Sequence, residues 1–347
     1  MKTLILAVLV AQGAAPRPAV PLEPVAALVE AFRTHSVVAL TAGHGNAIGY
    51  AFGLALLRDA RLASVVNDIV VEEGSARYQD LADRYVRGDQ IPLETIRPVW
   101  RDTTQPGLGL DEPWEAFYRE VRALNASRPR ERQVRVVLGD PPIEWEHVKT
   151  PADHRRWIEM RDWFPADLMQ REVVAKQRRA LLFYGSMHFQ RKNIVANYES
   201  AGPAETIVSR LEEKYGAKVF TIFTVADVSP LQPDAAHWPM PTLAIVRGTP
   251  LGAADFTFYY PSEAMGRFAI RDGEPDFSAR IPRDQWKTLR AEDQFDAVLV
   301  TRARPVLLQP SAGRCADAAD IQEHLHRIAL AGLPPPETER LKKLCGL

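Results

Sequence analysis

Asp68-Ile69-Val70-Val71-Glu72-Glu73-Gly74 is the stretch on which the fold turns. Its apolar residues are β-branched and consecutive, without polar alternation, the pattern of a strand buried on both faces. A carboxylate follows at once. Ser75 is then placed to cap a helix carrying Tyr78, Leu81, Ala82 and Tyr85 on one face, with Gly88 at its end. Working outward, similar apolar runs occur at residues 37–41, 134–138, 180–184, 218–223 and 295–300. Helical periodicity fills the gaps between them. One helix is expected at 48–62 and another opens at Pro113 with Trp114, Phe117, Val121 and Leu124 in phase. A third starts at Asp153 and passes through Trp157, Met160, Phe164 and Leu168 to about Arg178, kinked or restarted at Pro165. A fourth covers 203–215 and closes at Gly216. Strands alternating with helices imply an α/β fold, a mainly parallel sheet with helices on both faces, in one domain over 35–302. Residues 227–261 hold six prolines and read as an irregular excursion, where Trp238, Tyr259 and Tyr260 either line a pocket or simply pack.

Composition narrows the function classes. The chain has 347 residues, with 43 Lys and Arg against 44 Asp and Glu, and 46% hydrophobic residues. High apolar content with balanced charge excludes general disorder. The absence of a basic excess argues against a nucleic-acid partner, since phosphates need a cationic face. A small-molecule substrate is the partner class that remains.

The ends of the chain bear on the compartment. Lys2 precedes an apolar run from Leu4 to Val10 and then small residues to Ala15, the pattern of a signal peptide over 1–15 and so of a periplasmic or secreted protein. A frayed cytoplasmic extension is the other reading. The run is too short to span a bilayer, and no later stretch approaches a transmembrane length, so no transmembrane segment is expected in the mature chain. The only cysteines, Cys315 and Cys345, bracket two short helices broken at Pro334-Pro335-Pro336, a helical hairpin over 313–347. In an oxidising compartment they would form a disulfide; otherwise they are two unrelated buried thiols.

Chemistry gathers where strands end. The first expected strand runs into Thr41-Ala42-Gly43-His44-Gly45-Asn46, the second into Glu72-Glu73, the third into Gly139-Asp140-Pro141 and the fourth into Gly185-Ser186-Met187-His188. Singly, each has a plain structural reading: His44 caps a turn, Glu72 answers a helix dipole, Asp140 caps a loop, His188 sits satisfied. Together, His44, Glu72 and His188, supported by Asn46, Glu73 and Asp140, would converge on one edge of one sheet. Such a set suits general acid–base catalysis, and equally a divalent metal. No Gly-x-Ser-x-Gly elbow, Walker A loop, His-Glu-x-x-His or Gly-x-Gly-x-x-Gly motif is present.

At these positions the chain resembles the erythromycin esterase-like and ChaN/Tiki/TraB superfamily. The likeness lies in His44-Gly45 within 40–46, Glu72 within 68–74 and Gly185 to His188. It is closer to uncharacterised bacterial members through 76–88, Asp102-Thr103-Thr104 and 138–145, and spans roughly 35–300. The resemblance implies an α/β core with its site at the strand ends, and carries site roles onto His44, Glu72 and His188. Members of that group include lactone-opening esterases, metal-dependent proteases and haem-binding lipoproteins, so the fold leaves function open. The family's Gly-Glu pair is here Thr41-Ala42. Glu73 could stand in for the missing carboxylate, but one residue out of phase in a strand it faces the other way.

Three readings follow. In the first, an exported hydrolase acts on an ester, lactone or amide: His44 is the general base, Glu72 orients it or shares the proton, and His188 stabilises or protonates the leaving group. In the second, a periplasmic protein binds haem or a divalent metal, neither of which the sequence requires. In the third, the chain is a catalytically degenerate relative.

Overall fold

The computed structural model describes residues 16–41, 47–106, 111–193, 205–260, 264–265, 269–271, 274–276, 281–282, 284, 287–302, 312–333 and 335–347. His44, Asn46 and the Ala42 departure lie outside the described residues, as does the leader at 1–15.

The fold is α/β. β1 (Val37–Thr41), β2 (Asp68–Ser75), β3 (Arg135–Asp140), β4 (Ala180–Tyr184), β5 (Val219–Val225), β6 (Thr242–Ile245) and β11 (Ala297–Val300) form one sheet in the order β3-β2-β4-β1-β5-β11-β6. Every neighbouring pair is parallel except β11 with β6. The short strands β7 (Ala264–Met265), β8 (Ala269–Arg271), β9 (Glu274–Asp276) and β10 (Ile281–Pro282) pair separately, β7 with β10 and β8 with β9.

The continuous apolar runs are explained by burial on both sides. Along β2, Val70 belongs to one core and Val71 to the other. The core around Val70 also takes Ile207, Val208 and Leu211 from the helix Ile207–Glu213, which follows β4. The core around Val71 takes Leu56 and Leu57 from the helix Ala47–Arg58, which follows β1. Neighbouring strands β1 and β4 therefore send their connections to opposite faces and opposite sides, β1 towards β2 and β4 towards β5. In open α/β sheets the carboxyl ends of two strands at such a reversal are the usual ligand position.

Several expected elements differ: the helix expected at 48–62 is split into Ala47–Arg58 and Ala60–Val65, and Ser75, expected as a helix cap, ends β2 and makes no side-chain cap bond. The Pro-rich stretch is not wholly irregular, because Thr242–Ile245 supplies the antiparallel edge strand β6, and Leu22 bridges to Leu243 on its outer side. Trp238 and Tyr259 are buried in the core, so packing is their role. The long helix from Asp153 is broken into Pro151–Glu159 and Trp163–Met169, followed by a π-helical turn at Gln170–Val174. The break precedes Pro165, which sits in the first turn of the second helix, where its missing N–H leaves no bond unmade.

Cys315 and Cys345 are joined by a disulfide. It closes around the helix Ala318–Leu330, whose Ile321 and Ile328 pack on Leu341. The hairpin is tied to the domain by Arg101 to Asp320 at 2.9 Å and by Arg327 to Asp102 at 2.6 Å. Closing a loop of this length restricts the unfolded chain. Replacing both cysteines, Cys315→Ser with Cys345→Ser, is expected to lower the unfolding free energy by about 3–4 kcal/mol in urea melts. Reductant should have a matching effect on the wild type and none on the double variant.

Candidate functional site

Glu72 is the hub of the strand-end cluster. The register between β2 and β3 shifts between Val71 and Ser75, so Glu72, Glu73 and Gly74 lie in an irregular stretch before Ser75 pairs again with Asp140. Such irregularities re-aim side chains at sheet edges. Glu72 is buried, and its Oε2 accepts a 2.6 Å hydrogen bond from the Gly185 N–H at the end of β4. Its Oε1 accepts from the Arg161 guanidinium and lies 3.3 Å from Nε2 of His188.

His188 sits in the 3-10 turn Ser186–Phe189 that leaves β4. Its Nδ1 donates to Asp162 Oδ1 at 2.8 Å, which orients the ring and directs Nε2 towards Glu72. Asp162 Oδ1 also accepts from the Ile207 N–H at 3.2 Å. Arg161 and Asp162 both come from the break between the two helices. Asp162 occupies the N-cap position of Trp163–Met169, yet its side chain makes no cap bond and turns to the histidine instead.

Asp140, the last residue of β3, completes the line. Thr104 donates to it twice, from its backbone N–H at 2.7 Å and its hydroxyl at 2.6 Å, and Arg161 Nε lies 3.6 Å away. Burial pushes the Asp140 carboxyl up to about 7, the nearby Glu72 charge adds to this, and Arg161 and Thr104 oppose it. The Thr104 hydroxyl can accept as well as donate, so it serves Asp140 in either protonation state.

The segment bearing Thr104 is itself pinned. Nε2 of His154 donates to the Thr104 carbonyl at 2.7 Å, and Trp145 Nε1 to that of Thr103 at 3.1 Å. The His154 and Trp145 rings stack at 5.3 Å, and burial lowers the His154 pKa, which keeps the ring neutral. Tyr78 and Arg327 hold the Asp102 carboxylate at 2.5 and 2.6 Å.

The structure thus brings Glu72, His188 and Asp140 together. Glu73 is separated from them. It is buried on the other side of the sheet, where Tyr50 donates to it at 3.0 Å and Trp114 Nε1 also donates. The position of His44 is not described, but Thr41, the last residue of β1, pairs with Tyr184 of β4, next to Gly185. Arg161, Asp162, Thr104 and His154 were not singled out in the sequence as site residues. An acidic residue three positions before Pro165 was the available signal for Asp162, and it reads first as a helix cap. Among the described residues no group of three or more His, Cys, Asp or Glu is arranged to hold a metal ion, and no helix is long and apolar enough to cross a membrane.

No family model matches the chain, and no curated protein matches it in sequence. Solved structures match it in shape. A succinoglycan biosynthesis protein, 10% identical, has a TM-score of 0.51 over 82% of this chain and 94% of that one. That likeness shows the fold alone. A Bacillus cereus protein is 13% identical at a TM-score of 0.48, covering 84% of this chain and 97% of that one. The haem-binding ChaN of Campylobacter jejuni is 12% identical at 0.36, covering 58% of this chain and 87% of its own.

The Asp140 shift fixes a pH dependence. Its pKa is raised from 3.8 to about 7 on folding, so between these values the folded state binds the proton more tightly. Stability from this group is complete below the unfolded pKa and is lost as pH rises through the folded one. Asp140→Asn carries no such proton. Its stability relative to the wild type should rise by roughly 2–4 kcal/mol between pH 4 and pH 8 in paired urea melts. A difference that does not change with pH would mean that Asp140 titrates normally.

Proposed function

We propose that the protein is a hydrolase that opens an ester, lactone or amide by general acid–base catalysis at the carboxyl edge of the sheet. The observation that supports this reading is the buried line Asp162–His188–Glu72–Arg161–Asp140. One proton can be shared across the 3.3 Å between His188 Nε2 and Glu72 Oε1. Asp162 stabilises positive charge on the imidazole, and Arg161 stabilises negative charge on Glu72. A pair held in this way can take a proton from an attacking water and return it to the leaving oxygen or nitrogen. His44 is assigned the base that meets the water. Glu72 and His188 then receive and return the proton, while Asp140 and Thr104 hold Arg161 in place.

Haem or metal binding is the other chemistry for a histidine at this sheet edge, but no described observation favours it over hydrolysis. Export is part of the proposal. The leader pattern at 1–15 and the Cys315–Cys345 disulfide support an oxidising, periplasmic or secreted compartment.

Purified protein should hydrolyse at least one class in a panel of aryl esters, lactones and amides. His188→Gln and Glu72→Gln should each lower kcat by about 100-fold or more while far-UV circular dichroism stays unchanged. Full activity in both variants would sink the assignment.

A further inference from the structure

The hydroxyl of Tyr184 is a buried polar atom that the cluster leaves unused. Tyr184 ends β4 and is 1% exposed, and its Oη makes no hydrogen bond. It belongs to an apolar core, yet ionisable groups bear on it. The ring meets His188 edge-on at 5.3 Å, and Glu72 and Asp140 both act electrostatically on the hydroxyl. Gly139 leaves the space the hydroxyl occupies: a Cβ there would stand 1.9 Å from Oη and 3.0 Å from the Val71 carbonyl. Any larger residue would evict it.

Other tyrosines of the fold do find partners. Tyr50 donates to Glu73, Tyr78 to Asp102 and Tyr259 to the Leu251 carbonyl. Tyr118 is also buried without a partner, but there burial alone raises the pKa and no charged group bears on the hydroxyl. At position 184 phenylalanine would pack in the same space and avoid the cost of an unpaired buried hydroxyl. The donors around it are committed elsewhere: Arg161 to Glu72, Thr104 to Asp140 and His188 Nδ1 to Asp162.

We infer that Tyr184 is a catalytic residue of the proposed hydrolysis, donating a hydrogen bond to the substrate oxygen that gains charge as the acyl carbon becomes tetrahedral. This rests on the hydrolase reading. As the water oxygen bonds to the acyl carbon, the carbonyl π pair moves onto oxygen, where the Tyr184 hydroxyl meets it. The water's proton passes through the base to the Glu72–His188 pair. On collapse the pair returns to re-form C=O, the bond to the leaving group breaks, and the proton goes to the departing oxygen or nitrogen. Burial and the two carboxylates raise the Tyr184 pKa well above the usual value, so the phenol remains a donor at neutral pH. In a water-excluded setting such a donor has its largest effect.

The test compares Tyr184→Phe with Tyr118→Phe on the best substrate of the panel. Tyr184→Phe should lower kcat by about 100-fold, leave KM within about threefold, and melt at or above the wild-type temperature. Tyr118→Phe should show the same stability behaviour with kcat unchanged. A Tyr184→Phe protein as active as the wild type overturns this inference alone. So does a melting temperature several degrees lower, because it reveals a structural partner for the hydroxyl. A wild type inactive on every class overturns the hydrolase reading, and this inference with it.

Discussion

The guanidinium of Arg161 reaches the Glu72 carboxylate at the end of β2 and lies 3.6 Å from that of Asp140 at the end of β3. Both acids are almost wholly buried, and two like charges in so dry a place would not both persist without a cation between them. Arg161 lowers the Asp140 carboxyl, and burial with Glu72 raises it to about 7. Glu72 can then hold the Gly185 N–H and face His188. Removing the cation would leave two uncompensated buried acids, so both carboxylates depend on where Arg161 stands.

Its position depends on two departures from regular structure. β2 loses register after Val71, which turns Glu72 towards β4 and leaves Glu73 with Tyr50 and Trp114 on the opposite face. The helix that should run on past Glu159 stops, and the break delivers Arg161 and Asp162 side by side. Arg161 serves the carboxylates and Asp162 the histidine. One interruption therefore supplies both the cation and the anion that polarise the Glu72–His188 pair. The adjacent strands β1 and β4 send their connections to opposite sides of the sheet, and the pair sits at their carboxyl ends.

The sheet was legible because burial on both faces writes itself as consecutive apolar residues. All the parallel strands could be read in this way, and Glu72, Asp140 and His188 followed as the polar residues that end them. β6 was not legible, because four residues among prolines carry too little pattern and an edge strand needs none. Arg161 and Asp162 were hidden by the helical period, which continues in phase across the break from Trp157 to Phe164. Thr104 lies outside any helix or strand, and its bonds to Asp140 span 36 residues that no local rule connects. The unpaired hydroxyl of Tyr184 depends on Gly139 in a different strand, so no reading of residues 180–184 alone could reveal it.

Distance along the chain also hides the support behind the site. Arg327 lies in the hairpin closed by the disulfide, yet it bonds Asp102 and stacks over Trp145 at 5.3 Å. Trp145 holds the Thr103 carbonyl and stacks on His154, which holds that of Thr104. Thr104 in turn fixes Asp140 beside Arg161. The hairpin therefore contributes more than bulk at the end of the chain: its helix is one wall of a continuous polar and aromatic strut that ends at the buried guanidinium. A loosened hairpin would act first on the 102–104 segment, and only through it on the acids, because no group of the hairpin among the described residues touches Glu72 or His188 directly.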